Sequence, residues 1–119
     1  MLTSDPLTSG RSAITSHDRS FPVRVPSAVL VEFYRGGGTD EAIDAVLARG
    51  FAQVVTTGAR IARIAGHLLA RAGSGSELAI DALVVATAIR LGGGLVVTHD
   101  PDDLKLLATG HTNVAVATI

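Results

Sequence analysis

Between Glu77 and Leu91 nearly every residue is apolar, and a helix that is apolar almost all round is one buried on most of its sides. One carboxylate, Asp81, stands inside this run among Leu78, Ile80, Ala82, Leu83, Val84 and Val85. Burying it costs on the order of several kcal/mol unless something pairs with it. An arginine or a helix-cap bond would answer that need, and so would a metal ion held jointly with other acids. Around the run, short β-rich segments alternate with helical ones, the pattern of an α/β domain with a mostly parallel sheet.

Residues 1–20 read as a flexible or degenerate N-terminal arm, because half of them are Ser, Thr, Gly or Pro and no apolar period runs through them. The globular domain is expected over 21–119. A strand at Phe21 to Val25 is followed by a helix opened by Pro26-Ser27 and running through Tyr34. Gly36-Gly37-Gly38 ends that helix and Thr39 caps the next, whose Ala42, Ile43, Val46 and Leu47 recur at helical spacing. Gly50 closes it before a strand at Phe51 to Val55. A third helix carries Ile61, Ile64, Ala65, Leu68 and Leu69 on one face and Arg60, Arg63, His67 and Arg71 on another. The stretch Gly73-Ser74-Gly75-Ser76 reads as a flexible link to the apolar helix. A strand at Leu95 to Thr98, a short helix from His99-Asp100-Pro101-Asp102-Asp103 through Ala108, and a strand at Asn113 to Ala117 complete the pattern. Gly36-Gly37-Gly38 and Gly92-Gly93-Gly94 fit neither a P-loop nor a dinucleotide fingerprint, and both read as helix C-caps.

The rest of the composition narrows the chemistry. The chain has no cysteine, which excludes disulfides, thiolate zinc sites and a cysteine nucleophile and suits a reducing cytoplasm. The first twenty residues lack the apolar segment of a secretory signal, and the best apolar run, Leu78 to Leu91, is interrupted by Asp81, Thr87 and Arg90, so a soluble cytoplasmic protein without membrane attachment is expected. The formal charge of −1 is not the broad positive field of a sequence-independent nucleic-acid coat, so any RNA contact must come from a local patch. Arg60, Arg63 and Arg71 are candidates for holding phosphates, although an ordinary solvated helix face reads more simply. His67, His99 and His111 show no helical metal pair, and no zinc site is expected.

Three further acids join Asp81. Asp100 and Asp103 follow a strand at i, i+3 spacing across a helix start, which lets both face one side at the C-terminal edge of the sheet, where ligand sites of open α/β sheets form. Capping alone would also explain them. Glu32, preceded by Val29, Leu30 and Val31, reads as an acid half surrounded by core. A set of carboxylates without Cys favours a hard, oxygen-loving ion, Mg²⁺ or Mn²⁺, suited to phosphate chemistry.

The motifs Val25-Pro26-Ser27-Ala28-Val29-Leu30-Val31-Glu32, Ala79-Ile80-Asp81-Ala82-Leu83-Val84-Val85-Ala86-Thr87-Ala88 and Val97-Thr98-His99-Asp100-Pro101-Asp102-Asp103-Leu104 together resemble the PIN-domain family, and within it the VapC-type toxins of bacterial toxin–antitoxin pairs. The resemblance covers roughly Phe21 to Ile119. It implies a PIN-like three-layer α/β/α domain and a Mg²⁺- or Mn²⁺-dependent endoribonuclease that cuts transfer or ribosomal RNA and is silenced by a cognate antitoxin. By motif, Glu32, Asp81 and Asp100 would be metal-site acids, with Asp103 completing a second metal position and Thr98 orienting a carboxylate or water. A homodimer is also expected.

Members of that family begin with an apolar strand that lies in the middle of the sheet and ends in an aspartate. Here that strand is expected to be absent or degenerate: Asp5, in Met1-Leu2-Thr3-Ser4-Asp5-Pro6, is the early acid nearest in position, and Asp18 is no better placed. The alternative reading is therefore a catalytically inactive, truncated remnant that serves as an antitoxin-binding or dimerisation module. A third, a small α/β domain for a nucleotide or phosphorylated metabolite, is permitted by the architecture but supported by no glycine fingerprint.

Overall fold

The computed structural model describes residues 2–4 and 23–118. Five strands form one sheet: β1 (Leu2–Ser4), β2 (Val23–Pro26), β3 (Ala52–Val55), β4 (Gly94–Thr98) and β5 (Val114–Thr118), in the order β3-β2-β1-β4-β5. β2 pairs parallel with β3 and β4 with β5, while β1 pairs antiparallel with both β2 and β4. Four strands therefore point one way, and the mostly parallel α/β architecture expected from the sequence is the one observed. The helices are α1 (Gly37–Ala48), α2 (Ala59–Ala72), α3 (Ala79–Arg90) and α4 (Pro101–Leu107), with a 3₁₀ segment at Ser27–Glu32 and a shorter one at Ser76–Leu78.

The core is aliphatic and centres on α3. Ala82, Val85, Ala86 and Ala88 are fully buried, joined by Val96 of β4, Leu107 of α4 and Ile61, Ala65 and Leu68 of α2. Small side chains at Ala82 and Ala86, one turn apart, suit the close packing of α3 against α2. Thr87 is fully buried too, and its hydroxyl donates to the Leu83 carbonyl at 2.7 Å, so it carries no unmet hydrogen bond into the core. α2 divides as its periodicity predicts: Ile61, Ala65 and Leu68 are buried, Ile64 and Leu69 half-buried, and Arg60, Arg63, His67 and Arg71 exposed.

The centre of the sheet departs from the expected arm. Within residues 1–20, Leu2–Ser4 is a three-residue strand filling the position between β2 and β4; the remainder lies outside the described residues. The gap between two parallel strands presents unpaired N–H and C=O groups on both sides, and a short segment satisfies them in either direction. Here it runs in reverse, Leu2 pairing with Val96 and Ser4 with Gly94. Ser4 therefore lies at the N-terminal edge of its neighbours, remote from the edge where β2 and β4 end. Asp5 and Asp18 lie outside the described residues.

Three local readings are corrected. Gly36-Gly37-Gly38 does not end a helix but begins α1: Gly36 is its N-cap at φ +93°, and Thr39 sits within the first turn. The capping acceptor is Asp40, whose Oδ1 takes the N–H groups of Arg35 and Gly36, each at 2.9 Å. The expected helix through Tyr34 is instead 3₁₀ over Ser27–Glu32, followed by N–H donation from Phe33 and Tyr34 to the Leu30 carbonyl. Gly73 is no loose linker residue. It takes φ +69°, and Ser74 N–H donates to the Leu69 carbonyl at 2.9 Å, closing α2 with a left-handed cap.

Gly92 and Gly93 do follow a helix end, at φ +93° and +123°. A Cβ on Gly93 would stand 2.6 Å from the Asn113 carbonyl oxygen, whereas one on Gly92 would meet nothing within 4 Å. Gly93→Ala is expected to cost more than about 1 kcal/mol in urea unfolding, and more than Gly92→Ala, which carries the backbone penalty alone.

Candidate active site

The four acids singled out from the sequence reach the same edge of the sheet by three routes. β2 ends at Pro26, and the 3₁₀ segment carries Glu32 onward from there; β4 ends at Thr98, and the turn into α4 carries Asp100 and Asp103. α3, which precedes β4 and packs against it, contributes Asp81 from its first turn. The local structure of this edge is set by hydroxyls. Thr57 N–H donates to Ser27 Oγ at 2.9 Å and Ala28 N–H to Thr57 Oγ1 at 3.2 Å, so the exits of β2 and β3 are tied reciprocally. Asp100 N–H donates to Thr98 Oγ1 at 3.1 Å, which fixes the backbone at the start of α4. Thr98 thus positions the main chain of Asp100 rather than a carboxylate. Sequence reasoning singles out Thr98 but misses Ser27 and Thr57, although all three share one signal, a hydroxyl residue at or just past the end of a β-rich run.

Asp81 and Asp103 are half-buried, and Asp100 and Glu32 are exposed. Glu32 is therefore not half surrounded by core as expected; Val31 and Phe33 beside it are exposed as well, so this end of the segment stands off the body. Asp100 is the N-cap residue of α4, yet its side chain makes no cap hydrogen bond. Among the described residues none of the four carboxylates has a hydrogen-bond or ion-pair partner, so no described arginine pairs with Asp81 and the Asp100 side chain does not cap α4.

The electrostatics follow from that placement. Burial, and then the negative charges of Asp103, Asp100 and Glu32, push the Asp81 carboxyl above its ordinary value. Three carboxylates from two segments thus act on a fourth that is partly withdrawn from water. Among the described residues no three His, Asp or Glu side chains stand close enough together to hold an ion as placed, so the acids lie within electrostatic reach of one another rather than at coordination distance. The donor chemistry nevertheless fits a hard divalent cation, since every donor is a carboxylate oxygen. Of the described histidines, His67 lies on α2 and His111 in the turn before β5, while His99 is exposed next to Asp100.

A carboxyl whose proton affinity is raised by folding favours the fold when protonated. Its contribution is fully present below the ordinary value of 3.8 and is lost as the pH rises through the raised value, leaving a penalty at neutrality. Asp81→Asn is therefore expected to raise Tm at pH 7 in metal-free buffer, with the gain shrinking as the pH falls toward the ordinary carboxylate range. A thermal melt series across pH reads this directly, and a Tm gain independent of pH would contradict it.

The chain matches the family model of the PIN domain over residues 9–109, and no curated protein or solved structure gives a match. That match covers well over half of the 119 residues and includes Glu32, Asp81, Asp100 and Asp103. With the α/β sheet and the acid edge described above, the chain belongs to the PIN-domain family, a nuclease-type fold whose members are typically metal-dependent.

Proposed function

We propose that this protein is a Mg²⁺- or Mn²⁺-dependent endoribonuclease toxin that cuts RNA of the transfer or ribosomal class in the cytoplasm and is neutralised by a cognate antitoxin. The observation that carries the reading is the crowding of Asp103, Asp100 and Glu32 around a half-buried Asp81 without a cationic partner among the described residues. Partial burial and then like-charge repulsion make Asp81 hold a proton tightly, and the same neighbouring negative charges would favour a cation at this position. Glu32, Asp81, Asp100 and Asp103 would share the divalent ion. Lewis-acid polarisation of a phosphodiester and neutralisation of charge on its leaving oxygen are what such an ion supplies when bound. The protein's own part is placement. α3 holds Asp81 in a rigid, apolar setting, and the Thr98 hydroxyl fixes the turn that presents Asp100 and Asp103.

The antitoxin is assigned to the face beside Glu32. α1 has no buried residue, and a cleft of about 240 Å³ lined by Leu30, Phe33, Ile43, Val46 and Leu47 opens between it and the sheet. Val31 and Phe51, 65% and 64% exposed, extend the apolar surface. A partner helix seated there would lie next to Glu32, which connects inhibition to the same carboxylates. The reading includes a homodimer, to be measured by light scattering on the same preparation.

A second reading rests on the reversed, three-residue β1, which brings no acid of the described residues to the C-terminal edge from the centre of the sheet: an inactive remnant that only binds the antitoxin or a second copy. Cleavage of total RNA by the purified chain in Mn²⁺, in EDTA and with Asp81→Asn separates the two. The toxin reading expects cleavage in Mn²⁺ alone, abolished by Asp81→Asn, together with a Mn²⁺-induced rise in Tm that the variant lacks. A folded protein that neither cleaves RNA nor gains Tm with Mn²⁺ is the remnant.

A further inference from the structure

The exposed face of α2 is not used by the acid edge, and it is cationic along its whole length. Arg60, Arg63, His67 and Arg71 are all exposed, and at 1.5 Å per residue the row from 60 to 71 spans about 16 Å. One end of the row lies at the acid edge, because α2 starts directly after Thr57, which is bonded to Ser27 and Ala28 where β2 ends. The other end lies toward the opposite edge of the sheet. Arg71 Nη2 donates to the Thr109 carbonyl, and its guanidinium lies against Gly110. That turn leads to Asn113, whose carbonyl accepts from Gly94 N–H at 3.0 Å where β4 begins. There His67 and Arg71 meet His111, contributed by the turn before β5, around a cleft of about 280 Å³ floored by Ile64, Leu68 and Ile89. Among the described residues no carboxylate lines it. Among the described residues neither histidine ring has a partner.

We propose that this row, closed by His111, is a phosphate track that carries single-stranded RNA away from the acid edge along α2. The inference rests on the ribonuclease reading and adds the path of the substrate to it. Phosphate contacts need cations spaced along an accessible surface and little else. Between its cations α2 exposes only Ala62, Gly66 and Ala70, which lets a sugar–phosphate backbone approach closely. A protein partner would need large apolar or aromatic anchors, and this face has none. With a whole-chain formal charge of −1, a local row is also the form that RNA attraction must take.

The test is binding of a fluorescent single-stranded RNA, on the order of ten nucleotides long, in EDTA so that no cleavage intervenes. Two variants probe the row: Arg60→Gln with Arg63→Gln, neither of which makes a tertiary bond among the described residues, and His67→Gln with Arg71→Gln and His111→Gln. Arg49→Gln, an exposed cation at the end of α1, is the control. Each row variant is expected to weaken binding roughly tenfold and to lower the slope of log affinity against log salt by about 0.7 for each phosphate no longer neutralised, with Arg49→Gln unchanged. Wild-type affinity and slope in both row variants, while the protein still cleaves RNA in Mn²⁺, would overturn the track and leave the nuclease reading intact. Weakening by Arg49→Gln equal to that of the row would overturn it as well, since the effect would then be general charge. Loss of an acidic protein partner with RNA binding intact would assign the row to that partner instead. Wild-type protein that neither binds nor cleaves RNA would remove both readings together.

Discussion

The constraint on which the molecule turns is the placing of a carboxylate, half withdrawn from water, on an apolar helix that must be buried. α3 supplies the largest share of the fully buried side chains, and it must sit between α2 and the sheet to hide them. That requirement fixes the direction and depth of its first turn, and with it the half-buried position of Asp81. A side chain on a loop would relieve like-charge repulsion by moving. Here the repulsion persists because the acid is held by packing, and the energy of the site is drawn from the hydrophobic core rather than from any contact the carboxylate makes.

How much of this is legible in the sequence depends on how much contrast each segment carries. α2 is read almost residue by residue, because its apolar and cationic positions alternate with a strict helical period and nothing in the tertiary structure competes with it. The strands after Gly50 and Gly92 are read to within a residue or two, since β-rich runs bounded by glycine have little choice. Asp81, Asp100 and Asp103 stand out because acids are rare in apolar company or at the end of such a run.

The misreadings have a common origin in choices made by long-range pairing. Glycine's freedom at positive φ serves a helix start as well as a helix end, and which of them Gly36 performs is decided by Asp40 reaching back to accept two N–H groups. Three residues are too few to show a period, so neither the presence of β1 nor its direction is written in Leu2–Ser4. Both are decided by the open edges of β2 and β4. Glu32 is apolar in its sequence neighbourhood and exposed in space, because Val31 and Phe33 are themselves exposed. That exposure of apolar neighbours is information about a surface, which no local pattern encodes.

The reversed β1 also settles where the two ends of the described sheet emerge. Leu2, paired with Val96 at the middle of β4, starts a strand that runs away from the end of β4, and Thr118 of β5 pairs with Thr98 at that end. The first described residue and the last thus face the same rim, the one that carries Asp100. A parallel first strand would have put them on opposite rims. A probe joined to the backbone at the Leu2 or Thr118 end of these strands is therefore tethered on the side of the carboxylates, and a label meant to leave that rim clear belongs on the opposite side of the sheet, at the exposed Leu91 that precedes the turn into β4.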